Sequence, residues 1–437
     1  MMMHKKKLTT AWLLLIAPCL NAIDNNHFYR ASNFFMVFHE PRLEKPGLTS
    51  FDATLGGGST RTGIVDHKNF NASCITPCCN KETNILNICG AYNMQNLAAG
   101  VPCLDPANPL DAVLIALNQL PSQGFFGRLA FCGEFSIFEV NLFATHTFCN
   151  GFFIQAHMPI RSLRLDWINY TDCSPTDNVE PNANTPVWQT FKSEFNEILT
   201  RYCLSIKPCD SKGIGDTTFL VGVTHSYDET EVLDFFDITI RLGVLFPTGK
   251  VKNINNVFSF PLGYNGHYGI PITLDLGLGM YEWVTVGLHL GVLPFASTCK
   301  KVRVKTDEDQ NGPIKLATAC LCVEHGTIWD TTIWLKGDHC AGGASFVLGY
   351  TYAQKNRDVF SNKSLCKEVF CPDSCDFTHG SWHMHTIHLL VDYDLSTDYP
   401  KVGPHIGLFF NVVASGENVF KTNVGGLQGG FNLNWYW

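Results

Sequence analysis

Long stretches of the chain alternate strictly between apolar residues and polar or glycine residues. Every even-numbered residue from Ile270 to Met280 is apolar, and the same alternation runs from Val284 to Val292 after only three intervening residues. This period of two predicts a β-hairpin. Strands of soluble sheets usually have about 5 or 6 residues, whereas a strand that crosses a bilayer needs about 9–11. The length of these runs therefore favours an all-β fold, a closed antiparallel transmembrane β-barrel.

Counting strands back from the C-terminus predicts a barrel of about 12 strands. An even number places both chain ends on the periplasmic side, and this register leaves short turns there and long loops outside, as outer-membrane barrels have. The predicted strands are 47–57, 129–146, 152–165, 216–227, 234–247, 268–281, 283–296, 326–336, 343–355, 381–396, 402–415 and 424–437. The predicted outer loops are 58–128, 166–215, 248–267, 297–314 and 356–380.

Polar residues of the central strands alternate with residues suited to lipid, and we expect them to line the lumen of the barrel. These lumen candidates are Asp237, Thr239, Arg241, Thr273, Asp275, Thr285 and His289. A barrel of about 12 strands is near the size at which side chains must fill part of the interior.

The C-terminal residues alternate in the same way and end on an aromatic residue. Phe431, Leu433, Trp435 and Trp437 are separated by polar residues or tyrosine. This segment resembles the terminal strand by which bacterial outer-membrane barrels are recognised for insertion. The resemblance implies the barrel-assembly machinery as a partner and the bacterial outer membrane as the location.

The N-terminal 22 residues have the pattern of a signal peptide. Lys5, Lys6 and Lys7 precede the apolar stretch 11–20, which is too short to cross a bilayer as a helix. The expected organisation is a signal peptide at 1–22, a periplasmic segment at 23–46, and a barrel at 47–437 with a loop or plug region at 58–128.

Composition narrows the possible functions. Charged residues make up 16% of the chain and aromatic residues 12%, which excludes a disordered chain. The formal net charge is −8 and no stretch forms a basic face, so nucleic acid is not expected as a partner.

The chain has 18 cysteines, and in an exported protein they favour disulfides. Cys366, Cys371 and Cys375 fall in one predicted outer loop, and we expect at least two of them to be disulfide-bonded. Zinc is the competing interpretation, since histidines follow Cys375, but their spacing matches no standard zinc site. No metal is therefore expected.

Two helices are predicted inside the outer loops. Asn108-Pro109 is a cap and first-turn pair for the apolar stretch that ends at Pro121, and an apolar stripe runs from Pro186 to Cys203. These helices either pack on their own loops or form a gate over the lumen, and the sequence leaves both possibilities open.

Catalytic and cofactor motifs are missing from the sequence. It contains no GxSxG, HExxH or GxxxxGK[ST] pattern, and no Ser-His pair at a recognised spacing. We therefore expect neither an enzyme nor a cofactor.

The segment from Arg241 to Gly249, RLGVLFPTG, resembles the strand end with the FPTG sequence found in barrels of the FadL family and in relatives linked to the uptake of aromatic compounds. The resemblance implies passive uptake of small molecules, hydrophobic ones included. The leading hypothesis is thus an outer-membrane channel whose partners are membrane lipid and a small-molecule solute. The rival hypothesis is a structural or adhesive envelope protein, whose barrel anchors disulfide-rich outer loops.

Overall fold

A computed structural model of the chain gives its fold. The structure describes residues 47–65, 82–88, 90–102, 104–122, 124–177, 179–228, 233–281, 283–307, 309–341, 343–361, 380–395 and 402–434. The predicted signal peptide and periplasmic segment lie outside these residues, as do Trp435, Trp437, Cys366, Cys371 and Cys375.

Strands dominate the described residues. In chain order they are β1 (Leu48–Thr60), β2 (Thr62–Ile64), β3 (Glu82–Asn84), β4 (Tyr92–Asn93), β5 (Arg128–Thr147), β6 (Phe152–Asp172), β7 (Cys209–Ile214), β8 (Thr217–Asp228), β9 (Phe235–Phe246), β10 (Ile272–Met280), β11 (Val284–Leu293), β12 (Thr298–Arg303), β13 (Thr318–Glu324), β14 (Ile328–Ala341), β15 (Ala344–Lys355), β16 (Val359–Ser361), β17 (Trp382–Asp394), β18 (Val402–Glu417), β19 (Val419–Phe420) and β20 (Val424–Asn434). Within the described residues the α-helices are α1 (Pro109–Asn118) and α2 (Pro186–Arg201), and single 3-10 turns cover Ile85–Asn87 and Cys149–Gly151.

Twelve of these strands form a closed antiparallel barrel, which confirms the predicted fold class. The ring runs β1-β5-β6-β8-β9-β10-β11-β14-β15-β17-β18-β20 and returns to β1. The first strand closes it, since β1 pairs with β5 on one side and with β20 on the other. Short turns join the strands at the end of the barrel that holds Leu48 and Asn434, and the long connections gather at the opposite end.

The strand bounds differ from the predicted ones where local pairing overrides alternation. Strand β6 runs to Asp172, beyond the predicted end at 165, because its last residues still pair with β5, as far as Leu129 opposite Asp172. Strand β10 begins at Ile272 and not at 268. Pro271 has no N–H to donate to a ladder, and Gly269 makes only isolated bridges.

The outer surface of the wall is apolar, and its inner surface is largely polar. Ile240, Ile333, Val391 and Phe410 face outward and are each 56% exposed. Their neighbours in sequence face inward; Thr239, Thr332 and Asn411, for example, are buried. The polarity of an ordinary soluble barrel, with an apolar core inside a polar surface, is therefore inverted around most of the wall.

Two small sheets and two helices lie among the long connections. One sheet joins β12, β13 and β16, and a disulfide links Cys299 of β12 to Cys322 of β13. The other sheet joins β19, β2 and β3. Across the described ranges, no helix is long and apolar enough to cross a membrane.

Both predicted helices are present, and they pack against each other. Asn108 caps α1 by accepting a hydrogen bond from the N–H of Leu110 at 3.0 Å, and Pro109 occupies the first turn. The apolar stripe of α2 is buried, with Trp188 and Phe191 stacked at 5.2 Å between ring centroids.

A buried carboxylate joins the two helices. Asp111 of α1 accepts two hydrogen bonds from the Arg201 guanidinium, both at 2.7 Å, and one from the Tyr202 hydroxyl at 2.9 Å. The hydrogen bonds from Arg201 outweigh burial and hold the pKa of Asp111 at about 2. Burial and the bond to Asp111 raise the pKa of Tyr202 to about 12.

We expect Asp111→Ala to loosen the α1–α2 pair, because Arg201 and Tyr202 lose their common acceptor. Since the folded pKa of Asp111 is below its ordinary value of 3.8, its stabilising effect is present above that pH and is lost as the pH falls towards about 2. Hydrogen exchange of the helix amides at neutral pH should be faster in Asp111→Ala. The exposed Glu197→Ala on α2 is the control, and equal protection in both variants would contradict the role of Asp111.

Candidate functional site

The interior of the barrel is the candidate site, and the structure places the predicted lumen residues on its inner face. Thr239, Arg241, Thr273, Asp275 and His289 are buried there. Asp237 and Thr285 lie on the same faces of β9 and β11 and are partly buried.

Five of the inward residues form a charged cluster: Gln155, Arg241, Asp275, His289 and Asp330. The Arg241 guanidinium pairs with the Asp275 carboxylate, and its Nε donates to Oε1 of Gln155 at 3.0 Å. His289 places Nδ1 2.5 Å from Oδ1 of Asp275 and Nε2 3.2 Å from Oδ2 of Asp330. The cluster thus joins strands β6, β9, β10, β11 and β14.

A neutral chain of hydrogen bonds continues around the wall through Thr332, Thr351, His388 and Asn411. The Thr332 and Thr351 hydroxyl oxygens are 2.6 Å apart, and Nε2 of His388 is 3.0 Å from the Thr351 hydroxyl. Nδ1 of His388 lies 2.7 Å from Oδ1 of Asn411. We call these four residues together with the charged cluster the polar belt.

Sequence reasoning missed Gln155 and Asp330 as members of the belt. Both lie on predicted strands at positions that alternate with apolar residues, so the signal was the same one that identified Arg241 and Asp275. The sequence does not predict which residues they pair with, because Gln155 and Arg241, for example, are 86 residues apart.

Glycines on the inner face leave room for neighbouring side chains to lie against the wall. A Cβ atom on Gly287 would lie 2.0 Å from Cε2 of Trp334, and one on Gly291 would lie 2.1 Å from Oδ1 of Asp330. Glycine is therefore required at both positions for Trp334 and Asp330 to keep their places.

An apolar layer lies at the outer end of the interior, above the belt. It is built around Tyr264 by inward side chains of the wall: Leu245, Leu293, Ile328, Ala353, Met384 and Val413. The residues 257–264 are all buried at this end, and we call them the plug segment. Phe260 of the plug segment packs on Phe135 of β5 at 5.3 Å between ring centroids. The sequence predicted this segment only as part of the outer loop 248–267.

Asp216, at the break between β7 and β8, anchors the plug segment. Its carboxylate accepts hydrogen bonds from the N–H of Tyr264 at 2.5 Å and from the N–H of Gly249 at 2.9 Å. The Thr248 hydroxyl donates to the carbonyl of Gly215 at 2.6 Å. The FPTG sequence at the end of β9 is therefore hydrogen-bonded to the residues between β7 and β8. No sequence pattern had identified Asp216 as an anchor.

The remaining predicted site residues lie elsewhere. Phe431 faces outward on β20, is 40% exposed and lies 5.4 Å from Phe51 between ring centroids, and Leu433 is on the same strand. The structure does not bring these two residues to the polar belt. In the part of the chain that the structure describes, no group of three or more His, Cys, Asp and Glu residues is arranged to hold a metal ion.

Comparison with known proteins finds structural similarity without sequence similarity. No protein-family model and no curated protein matches the sequence. An outer membrane channel from Pseudomonas putida F1 is similar with a TM-score of 0.43 and 10% identity, covering 90% of this chain and 98% of that one. The CymD monoaromatic hydrocarbon channel gives a TM-score of 0.32 and 8% identity, with 90% of each chain covered. The translocator domain of the autotransporter NalP from Neisseria meningitidis gives 0.33 and 8%, with 92% of each chain covered. Identities at this level leave the function to be derived from the barrel's own residues.

We expect Asp275→Ala to destabilise the barrel, because it leaves the buried Arg241 and His289 facing each other without their shared carboxylate. Breaking a buried ion pair from one side costs about 3–5 kcal/mol. A heat-modifiability gel should show that the variant unfolds at a lower temperature than the parent protein. Thr285→Ala on the neighbouring strand is the control, and unchanged unfolding of Asp275→Ala would show that the belt does not stabilise the barrel.

Proposed function

We propose that this protein is an outer-membrane barrel that passes small molecules, hydrophobic ones included, by passive uptake. The observation that carries the membrane location is the inverted polarity of the wall. Large apolar side chains cover its outside, and charged and hydrogen-bonding side chains fill the belt inside. In water such an exterior would be a large exposed apolar patch, whereas in a bilayer it is the favoured surface.

Backbone pairing supports the same location. Each wall strand is paired on both sides, so the closed ring has no edge. In the hydrocarbon core every N–H and C=O group needs a partner within the protein, and a closed barrel is one of the two structures that supply it. Membrane lipid is therefore the proposed environment of the outward residues.

Passage is proposed to be gated. The plug segment and the apolar layer are buried at the outer end of the interior, where they would close it, and hydrophobic constrictions stop water and ions by dewetting. Such a closure favours a channel that opens for its solute over a permanently open pore. An apolar layer above a polar belt is also compatible with hydrophobic solutes. The transfer of such a solute out of water costs far less free energy than the transfer of an ion.

Export and assembly complete the proposal. The leader pattern at 1–22 and the aromatic C-terminal strand with Phe431, Leu433, Trp435 and Trp437 support secretion followed by insertion through the barrel-assembly machinery. No catalytic role is proposed for any residue.

The alternative is an envelope anchor, and the size of the outer loops favours it. The connections carry two helices and two small sheets, one of them tied by the Cys299–Cys322 disulfide. Such a surface suits binding to a host or a neighbouring protein. Reconstitution of the full chain into planar bilayers separates the two: solute flux or discrete conductance supports the channel, and a folded but silent barrel supports the anchor.

Ile240→Arg should impair membrane assembly, because Ile240 lies in the middle of β9 on the apolar outer face. An arginine at the bilayer midplane costs about 2–4 kcal/mol on the lipid face of a barrel. Thr285→Arg, on the inner face of β11, should assemble far better. The amount of each variant in the extracted outer membrane is the measurement, and equal losses would contradict the proposed lipid-facing side.

Asp216→Ala should raise conductance in planar bilayers, because the N–H groups of Tyr264 and Gly249 lose their acceptor and the plug segment is released. Asp216→Asn keeps one carbonyl oxygen as an acceptor and should have a smaller effect. A parent-like conductance in Asp216→Ala, with the barrel shown to be folded by heat modifiability, would mean that this anchor does not hold the gate closed.

A further inference from the structure

A cavity of about 320 Å³ opens among the outer loops, apart from the polar belt. Its lining comes from four segments: Leu204 after α2, the connection after β9, strand β12, and the residues near Pro313. Cavities of about 300–1,000 Å³ hold small ligands in proteins. The volume therefore suits a ligand at the small end of this range.

The lining carries an unusual concentration of positive charge. Five of its residues are basic, namely Lys252, Lys300, Lys301, Arg303 and Lys315, and none is Asp or Glu. The chain as a whole has 39 acidic residues against 31 basic ones. A cavity with one sign of charge and low-dielectric walls concentrates ligands of the opposite sign.

Arg303 joins the walls of the cavity through hydrogen bonds to uncharged backbone carbonyls. Its guanidinium donates to the carbonyls of Ile254 at 3.1 Å, Leu316 at 2.7 Å and Tyr202 at 2.9 Å. These acceptors are neutral, and they belong to three separate segments. The walls are therefore joined in advance of binding, and the positive charge of Arg303 remains available to the cavity.

The same cavity has an apolar part. Leu204, Val257 and Val302 line it and are buried. Val257 is also the first residue of the plug segment, so an occupant would touch the segment that closes the barrel. A ligand that fills the cavity needs an apolar body as well as negative charge.

The positive charge of the cavity does not depend on histidine. Lys300 lines the cavity, and its Nζ lies 3.0 Å from Nε2 of His267. Burial, followed by the charge of Lys300, lowers the pKa of His267 to about 3. His267 is therefore neutral near pH 7, and lysine and arginine supply the charge.

We infer that this cavity binds a phosphomonoester with a small apolar body, carried either by a soluble molecule or by a lipid headgroup. A phosphomonoester brings up to two negative charges and three acceptor oxygens, which suits several cations better than a single carboxylate does. The inference is independent of transport, because a binding site on the outer loops serves a channel and an anchor equally.

Calorimetric titration of the full chain in zwitterionic lipid nanodiscs tests the inference, with phenyl phosphate as the probe. We expect saturable binding that is at least tenfold weaker in the double variant Lys252→Gln, Lys301→Gln. Lys250→Gln is the matched control, because Lys250 is close in sequence but does not line the cavity. Absent binding, or equal binding by the double variant, would overturn the assignment.

Probes on the parent protein keep the test independent of the variants. Phenol should bind at least tenfold more weakly than phenyl phosphate, because it lacks the charge, and inorganic phosphate should also bind more weakly, because it lacks the apolar body. Equal affinity for either probe would contradict the proposed ligand class. The second pKa of a phosphomonoester is about 6, so affinity should fall below that pH, and a rise instead would contradict binding of the dianion.

Adding lipid A to the nanodiscs distinguishes the two sources of the phosphate. Loss of phenyl phosphate binding in its presence would identify the lipid headgroup as the occupant, and unchanged binding would identify a soluble phosphomonoester. Calorimetry measures binding independently of conductance. A protein that binds phenyl phosphate but shows no conductance in planar bilayers would therefore support this site and contradict only the channel function.

Discussion

The closed ring of backbone pairing is the constraint on which the rest of this structure depends. Strand β1 pairs with both β5 and β20, so the sheet has no free edge at which N–H and C=O groups would lack partners. Closure also separates two surfaces. The outward side chains form an apolar band, and the inward ones line the interior, where buried polar groups need hydrogen-bond partners in the protein or in water.

The polar belt supplies such partners inside the barrel. Arg241 contacts Asp275 and Gln155, and His289 lies between Asp275 and Asp330, so basic and acidic side chains alternate around this part of the wall. Glycine at 287 and 291 lets Trp334 and Asp330 lie close to the wall. The belt thereby links successive strands of the wall from inside while the barrel keeps its apolar exterior.

The long connections cluster at the outer end of the barrel, and their side chains fix the plug segment and the basic cavity. Asp216 holds the plug segment through the N–H of Tyr264 and the chain after β9 through the N–H of Gly249. Arg303 holds together segments that form the basic cavity. Both arrangements use one charged side chain to fix loops by their backbone groups. Val257 belongs to both regions, which brings the proposed binding site into contact with the gate.

Alternation along the sequence, together with the even strand number that periplasmic chain ends require, predicted the number of strands and their approximate bounds. It also predicted the inward side of residues such as Arg241, Asp275 and His289. It could do so because the period of two is a local property of an extended chain. Only the tertiary structure decided that Asp330 and Gln155 complete the charged cluster, that residues 257–264 close the outer end, and that Asp216 anchors them. These contacts join positions that are far apart in sequence, for example 48 residues between Asp216 and Tyr264. Their partners follow from strand register and loop path, which no local pattern encodes.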